Sequence, residues 1–140
     1  MKRILVGVDG SPEAAAAADK AADLAAATGA GLQLTYVVPP HLPPGPAAYV
    51  SEIERRDLIE RDYVPALLRD LEVRCRRPGV TIETGTAIGP VAEALADTAA
   101  EGFDLVVVGH RGRGAVAQTL LGSIAKRLVQ ISPRPVLVVR

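Results

Sequence analysis

Leu105-Val106-Val107-Val108-Gly109-His110-Arg111-Gly112, then nine residues, then Gly122-Ser123-Ile124-Ala125-Lys126-Arg127-Leu128-Val129, is the stretch that decides how the chain is read. The short apolar run predicts a buried strand that has ended by Gly109, where a loop begins. Glycine tolerates positive φ and lets other groups come close to bare backbone, so Gly109 and Gly112 can turn the chain and present N–H groups to an anion. Gly122-Ser123 opens a helical stretch, with Ser123 suited to cap it. The first N–H groups of such a helix lack intrahelical partners and carry partial positive charge, which suits phosphate. The spacing matches neither Gly-x-x-x-x-Gly-Lys-Ser/Thr nor Gly-x-Gly-x-x-Gly. The same residues also read as a plain strand-to-loop turn at Gly109 and a helix break at Gly122, and physics alone leaves both readings open.

Working outward, 140 residues make one domain, 1–140, with no need of a second. A chain of this length buries roughly two-thirds of its unfolded surface in a single core. With 49% hydrophobic and 23% charged residues and a formal net charge of zero, the composition is that of a soluble globular protein. The balance of charge argues against nucleic acid or an acidic membrane as the main partner. Leu105 to Arg140 nevertheless carries six basic residues, Arg111, Arg113, Lys126, Arg127, Arg134 and Arg140, and no acidic one, so an anion would favour this end. For Arg127, Arg134 and Arg140 a solvated face is reason enough. The segment has no aromatic residue on which bases of a single strand could stack. Cys75 is the only cysteine, so no disulfide within the chain and no cysteine-based metal cluster can form. No apolar run approaches a membrane helix or a signal core, and the expected location is the cytoplasm.

Upstream, Arg3 to Val8 reads as a buried strand. Asp9-Gly10-Ser11-Pro12-Glu13 is a turn and helix start with Ser11 as N-cap and Pro12 in the first turn. Ala14 to Thr28 makes the first helix, stopped by Gly29-Ala30-Gly31, and Leu32 to Val38 the second strand. Pro39 to Pro46 holds five prolines and reads as a semi-rigid loop. A charged helix is expected from Ser51 to Arg74, kinked at Pro65, with Ile53, Leu58, Ile59, Leu67, Leu68 and Leu71 on or near its inner side. Gly79 to Thr84 gives the third strand, Gly89 to Glu101 a helix, Asp104 to Val108 the fourth strand, Ser123 to Ile131 the last helix and Pro135 to Val139 the fifth strand.

Strands alternating with helices call for an α/β fold: an open five-stranded parallel sheet, Rossmann-like, with helices on both faces. Ligands of such sheets bind beyond the carboxyl ends of the strands where the strand order reverses. The first and fourth strands end in Asp9 and Gly109, so these two are expected to be neighbours at the reversal, giving the order 3-2-1-4-5. A carboxylate at Asp9 suits ribose hydroxyls or an adenine amino group and would repel phosphate; an Asx turn or a cap to the first helix is the alternative. His110 reads as a solvated strand-end residue or a phosphate contact. His41 has no companions for a metal site, and Cys75 reads as a small packing residue.

The pattern Gly-x2-Gly-x9-Gly-Ser, met at Gly109, Gly112, Gly122 and Ser123, resembles the signature of the universal stress protein family in its ATP-binding branch. The likeness extends from Val6-Gly7-Val8-Asp9-Gly10-Ser11 to Pro135-Val136-Leu137-Val138-Val139. It implies that Asp9 contacts the nucleoside, that backbone at Val8 and Val37 meets adenine, and that Val108 lines the base or sugar pocket. Gly109, Arg111, Gly112, Gly122, Ser123 and Ile124 would surround ribose and phosphates, mainly through backbone N–H groups, with the Ser123 hydroxyl on a terminal phosphate. Magnesium would accompany ATP, held by phosphate oxygens and water. A homodimer through Pro135 to Val139, an apolar stretch at the sheet edge, is expected. The function implied is nucleotide-dependent regulation in a stress response through a further protein partner. The alternatives are a slow ATPase or phosphotransferase, for which Arg111, Arg113 and Ser123 are the only candidate set, and a nucleotide-free interaction module.

Overall fold

A computed structural model describes residues 1–40, 51–112 and 121–140. His41, the proline-rich loop beyond Pro40, and Arg113 lie outside these residues. The elements run β1 (Arg3–Val8), α1 (Pro12–Thr28), β2 (Gly31–Val38), α2 (Glu52–Leu58), a π-helical turn (Ile59–Tyr63), α3 (Val64–Cys75), β3 (Ile82–Ile88), α4 (Val91–Ala100), β4 (Leu105–Gly109), α5 (Ser123–Ile131) and β5 (Val136–Val139). The sheet is parallel throughout, in the order β3-β2-β1-β4-β5, as the alternation of elements predicts.

Side-chain alternation along the strands divides the core into two layers. Ile4, Val6, Leu32, Leu34 and Val107 face α1 and α3, whereas Leu5, Val37, Val106 and Val108 face α4 and α5. Six alanines of α1, at 14, 17, 18, 21, 22 and 25, are buried, so its backbone comes close to the sheet. Ser11 caps α1 by accepting from Ala14 N at 3.1 Å, and Gly29 closes it in the left-handed conformation, φ 76°.

Two element boundaries differ from the sequence reading. The third strand is Ile82–Ile88 rather than 79–84, because Gly79 sits in a turn at φ 77° and the strand runs on through Gly85. Gly85 does not interrupt the strand; it leaves room for the Gln33 amide, whose Nε2 would lie 3.1 Å from an added Cβ. The long charged helix is divided by the π-helical turn, in which Val64 N reaches back to Ile59 O. Pro65 lacks an N–H, and its ring would crowd the carbonyl of Arg61; widening the preceding turn relieves both. Ile53 and Leu58 are exposed, contrary to the expected inner face; Leu68 and Leu71 are buried and Ile59 and Leu67 partly buried against the core, as expected, and Val64 and Cys75 join them. Arg56 holds the end of β2, its Nη2 donating to Pro39 O at 2.9 Å and Pro40 O at 2.7 Å. Cys75 is fully buried, and that desolvation pushes its thiol up to about 11.

Asp104 ties the starts of β1 and β4 together. Its Oδ2 accepts from Lys2 N at 2.7 Å and from Arg3 N at 3.0 Å, and these backbone bonds hold its carboxyl below the usual carboxylate range. A depressed folded-state pKa stabilises the fold above the unfolded pKa, and that contribution disappears as pH falls through the folded value. Asp104→Asn keeps an acceptor and removes the charge. It is expected to melt below the wild type at pH 7, with the gap closing below about pH 4. Thermal unfolding followed across pH checks this; a gap that persists unchanged into acid would show that the charge is not the cause.

Candidate functional site

Beyond the carboxyl ends of β1, β2 and β4, a cavity of about 300 Å³ opens where the strand order reverses between β1 and β4. Its walls come from four parts of the chain. Val8 ends β1 and Asp9 follows it, Val37 stands near the end of β2, Val108 and Gly109 end β4 with Arg111 and Gly112 just after, and Gly122 precedes α5, which Ser123 and Ile124 open. All ten residues singled out in the sequence therefore line one cavity. Val37 and Val108 are 6% and 5% exposed and make part of its apolar side. Asp9 and Arg111 are the charged lining residues among those described.

Of the two reasons expected for glycine here, positive φ and close approach, the structure shows the second. Gly109, Gly112 and Gly122 are absent from the positive-φ glycines, so no left-handed turn requires them. They supply space. A Cβ on Gly109 would stand 2.8 Å from the carbonyl carbon of Glu13, one on Gly112 2.5 Å from Asp9 Oδ2, and one on Gly122 3.2 Å from both Arg111 Cα and His110 O. The loop lies against α1 and Asp9 closer than a Cβ could stand, and against itself at Gly122 more tightly than most Cβ contacts allow. Gly122 N donates to His110 O at 2.6 Å, drawing the two ends of the glycine signature together.

Asp9 forms the Asx turn and also lines the cavity. Oδ1 accepts from Ser11 N at 2.9 Å, forming the Asx turn that introduces α1, while Oδ2 lies on the Gly112 side of the cavity. The bond from Ser11 fixes the carboxylate's orientation, so the turn helps to build the site.

At α5 the expected cap is corrected. Gly122, at φ −66° and ψ 156°, occupies the N-cap position; Ser123 is the first helical residue, and among the described residues no side chain caps this helix end. The N-terminus of α1 is closed by Ser11, whereas that of α5 faces the cavity with only backbone at its cap. Orphan N–H groups and the helix dipole there favour an anion.

His110 is half-buried and lies outside the lining. Its backbone N–H donates to Val139 O at 2.7 Å, its Nδ1 lies 3.3 Å from the same carbonyl, and its Nε2 accepts from Arg111 Nε at 3.1 Å. The two side-chain contacts together assign the tautomer with hydrogen on Nδ1. Arg111 Nη2 lies 3.6 Å from Glu13 Oε1.

Sequence reasoning missed Gly7, Ala14, Thr35, Val91, Leu95 and Ala125, which also line the cavity. Two of these carried a signal. Thr35 is a polar residue in the apolar run Leu32 to Val38, 2% exposed, its hydroxyl accepting from Gln33 Nε2 at 3.2 Å. Gly7 interrupts β1, and the room it leaves is occupied by Leu95, whose Cδ1 would stand 2.7 Å from an added Cβ. Ala14, Val91, Leu95 and Ala125 are apolar residues in helices and look like any others. Among the described residues no three His, Cys, Asp or Glu side chains gather as a metal cluster. No described helix is long and apolar enough to cross a membrane.

Comparison with known proteins agrees with this architecture. A universal stress protein of Bacillus subtilis is 32% identical over 155 residues, covering 99% of this chain and 98% of the relative. Another, from Mycobacterium tuberculosis strain H37Rv, is 33% identical over 150 residues, covering 97% of this chain and 47% of its own length, so the chain spans about half of that relative. Among solved structures, a universal stress protein in complex with cAMP superposes with a TM-score of 0.75 at 33% identity, covering 99% of this chain and 97% of the other. The sequence profile of the universal stress protein family matches residues 1–140, and the chain belongs to that family.

Proposed function

We propose that the cavity binds an adenine nucleotide, ATP accompanied by magnesium, and that the chain acts as a nucleotide-dependent regulatory protein. One observation carries this reading: four separate segments converge on a single cavity with an apolar side, a carboxylate and the backbone-capped end of a helix. The volume, about 300 Å³, stands at the lower end of the range of small-molecule sites. The relative solved with cAMP, at 33% identity, supports an adenine nucleotide as the ligand class. In this reading Val37 and Val108 pack the base and sugar, Asp9 accepts from nucleoside hydroxyl or amino groups, and the N–H groups opening α5 receive phosphate. Magnesium would be held by the ligand's phosphate oxygens and by water, and would supply neutralisation of part of the ligand's charge.

The proposal extends to a cytoplasmic homodimer joined through β5 and acting on a further protein partner. β5 pairs with β4 and lies at the end of the strand order, and its residues Val136 to Val139 are all half-buried. An apolar edge in that condition is one that pairing would cover.

Calorimetric titration of ligand-stripped protein with ATP, ADP and cAMP in magnesium buffer tests the reading. Saturable binding at one site per chain, lost in Gly122→Lys, is expected. A micromolar dissociation constant would correspond to about −8 kcal/mol. Absence of binding by all three nucleotides would overturn the proposal.

A further inference from the structure

Glu13 belongs to the first turn of α1, outside the glycine signature, yet it meets the cavity's cation. Its Oε1 lies 3.6 Å from Arg111 Nη2, and the two side chains are 27% and 29% exposed, so the pair is largely withdrawn from solvent. The position of Glu13 is well defined. Ser11 caps the turn, Pro12 opens the helix, and the Glu13 backbone packs on the bare Cα of Gly109. Arg111 is oriented from its other edge, where Nε donates to His110 Nε2 at 3.1 Å.

We propose that Glu13 sets the preference of this cavity for ligand charge, by competing with ligand phosphate for the Arg111 guanidinium. The inference rests on the nucleotide reading above and adds to it a residue that selects among nucleotides. A phosphate approaching the Nη edge of Arg111 must share or displace the Glu13 carboxylate, whereas the His110 bond at Nε need not break. Glu13 also places a negative charge beside the phosphate end, and the penalty rises with each further charge on the ligand. Adenosine pays no such penalty, a cyclic monophosphate a small one, and ATP the largest. Glu13 thus acts through Arg111 as a positioning residue and biases the site towards nucleotides of low charge.

The test is titration of the full chain, wild type and Glu13→Gln, with adenosine, cAMP and ATP. Glu13→Gln is expected to tighten ATP about tenfold and cAMP about threefold, as expected for partly screened charges, with adenosine unchanged. Glu13→Asp should keep the wild-type order of affinities, and the gain for ATP should shrink in an Arg111→Gln background, where the competition is gone and only the direct repulsion between Glu13 and phosphate is left. A purely structural role for Glu13 would shift all three ligands alike, and that result would overturn the proposal. So would unchanged or weakened ATP binding by Glu13→Gln while the wild type binds normally, an outcome that leaves the nucleotide reading standing. Failure of the wild type to bind any of the three removes the nucleotide reading, and the role of Glu13 with it.

Discussion

Gly112→Val is expected to weaken ATP binding roughly hundredfold, a loss of about 2.8 kcal/mol, while leaving the chain folded. Gly112 shows no positive φ, so backbone strain does not enter. The effect is one of volume at a single point: a Cβ there would lie 2.5 Å from Asp9 Oδ2, well inside van der Waals contact. Either the loop withdraws or the carboxylate turns away, and Asp9 is held in its present orientation by the 2.9 Å bond from Ser11 N. Both responses alter cavity walls that the nucleotide would touch. Valine, branched at Cβ, has little rotamer freedom with which to escape. Calorimetry with ATP reads the affinity, and circular dichroism monitors the fold. A double-mutant cycle isolates the cause: Gly112→Ala should destabilise the wild-type chain but cost almost nothing in an Asp9→Ala background, where the obstructing carboxylate is gone. Wild-type ATP affinity in a folded Gly112→Val protein would sink the explanation.

Much of this arrangement can be read from the residues, because the features that fix it are local. Runs such as Ile4-Leu5-Val6 and Val106-Val107-Val108, separated by helical segments with Ser11-Pro12 and Gly29 as punctuation, specify parallel strands and crossovers, and the strand order then follows from Asp9 and Gly109 as neighbouring strand ends. The ten cavity residues stand near the carboxyl ends of strands or at the start of a helix, places that chain order identifies. What escaped the sequence reading depends on contacts between distant segments. No local pattern places Leu95 over Gly7 or Glu13 beside Arg111; each pair meets only when a helix packs on the sheet. The π-helical turn before Pro65 likewise comes from a conflict between proline and the preceding carbonyl, which the chain resolves by widening the helix. For the glycines the sequence leaves two reasons open, permissive backbone and close approach, and only contacts between distant segments decide for close approach, most sharply at Gly109 and Gly112.

Gly109 carries the largest cost to stability. Gly109→Val is expected to destabilise the fold by about 3 kcal/mol, the upper part of the range for overpacked positions. In a domain of this size that corresponds to a fall in Tm of roughly 10 °C. An added Cβ would meet Glu13 at 2.8 Å from its carbonyl carbon, 2.9 Å from its carbonyl oxygen and 3.0 Å from its Cβ. Two of these atoms are backbone, so no side-chain rotation can yield. The first turn of α1 cannot yield easily either, since Ser11 caps it and Ala14, Ala17 and Ala18 hold the helix against the sheet at 4%, 0% and 0% exposure. Relief therefore means lifting α1 from the end of β4, which opens the core at the mouth of the cavity and carries Glu13 away from Arg111. Gly29 provides the contrast. It needs glycine for φ 76°, with nothing within 4 Å of an added Cβ, so Gly29→Asn should be tolerated because asparagine accepts the left-handed conformation. Gly109→Asn should be as damaging as any other side chain. Thermal and denaturant unfolding of the variants separates the two requirements; a Gly109→Val protein melting with the wild type would mean that α1 and β4 are less closely bound than their geometry implies.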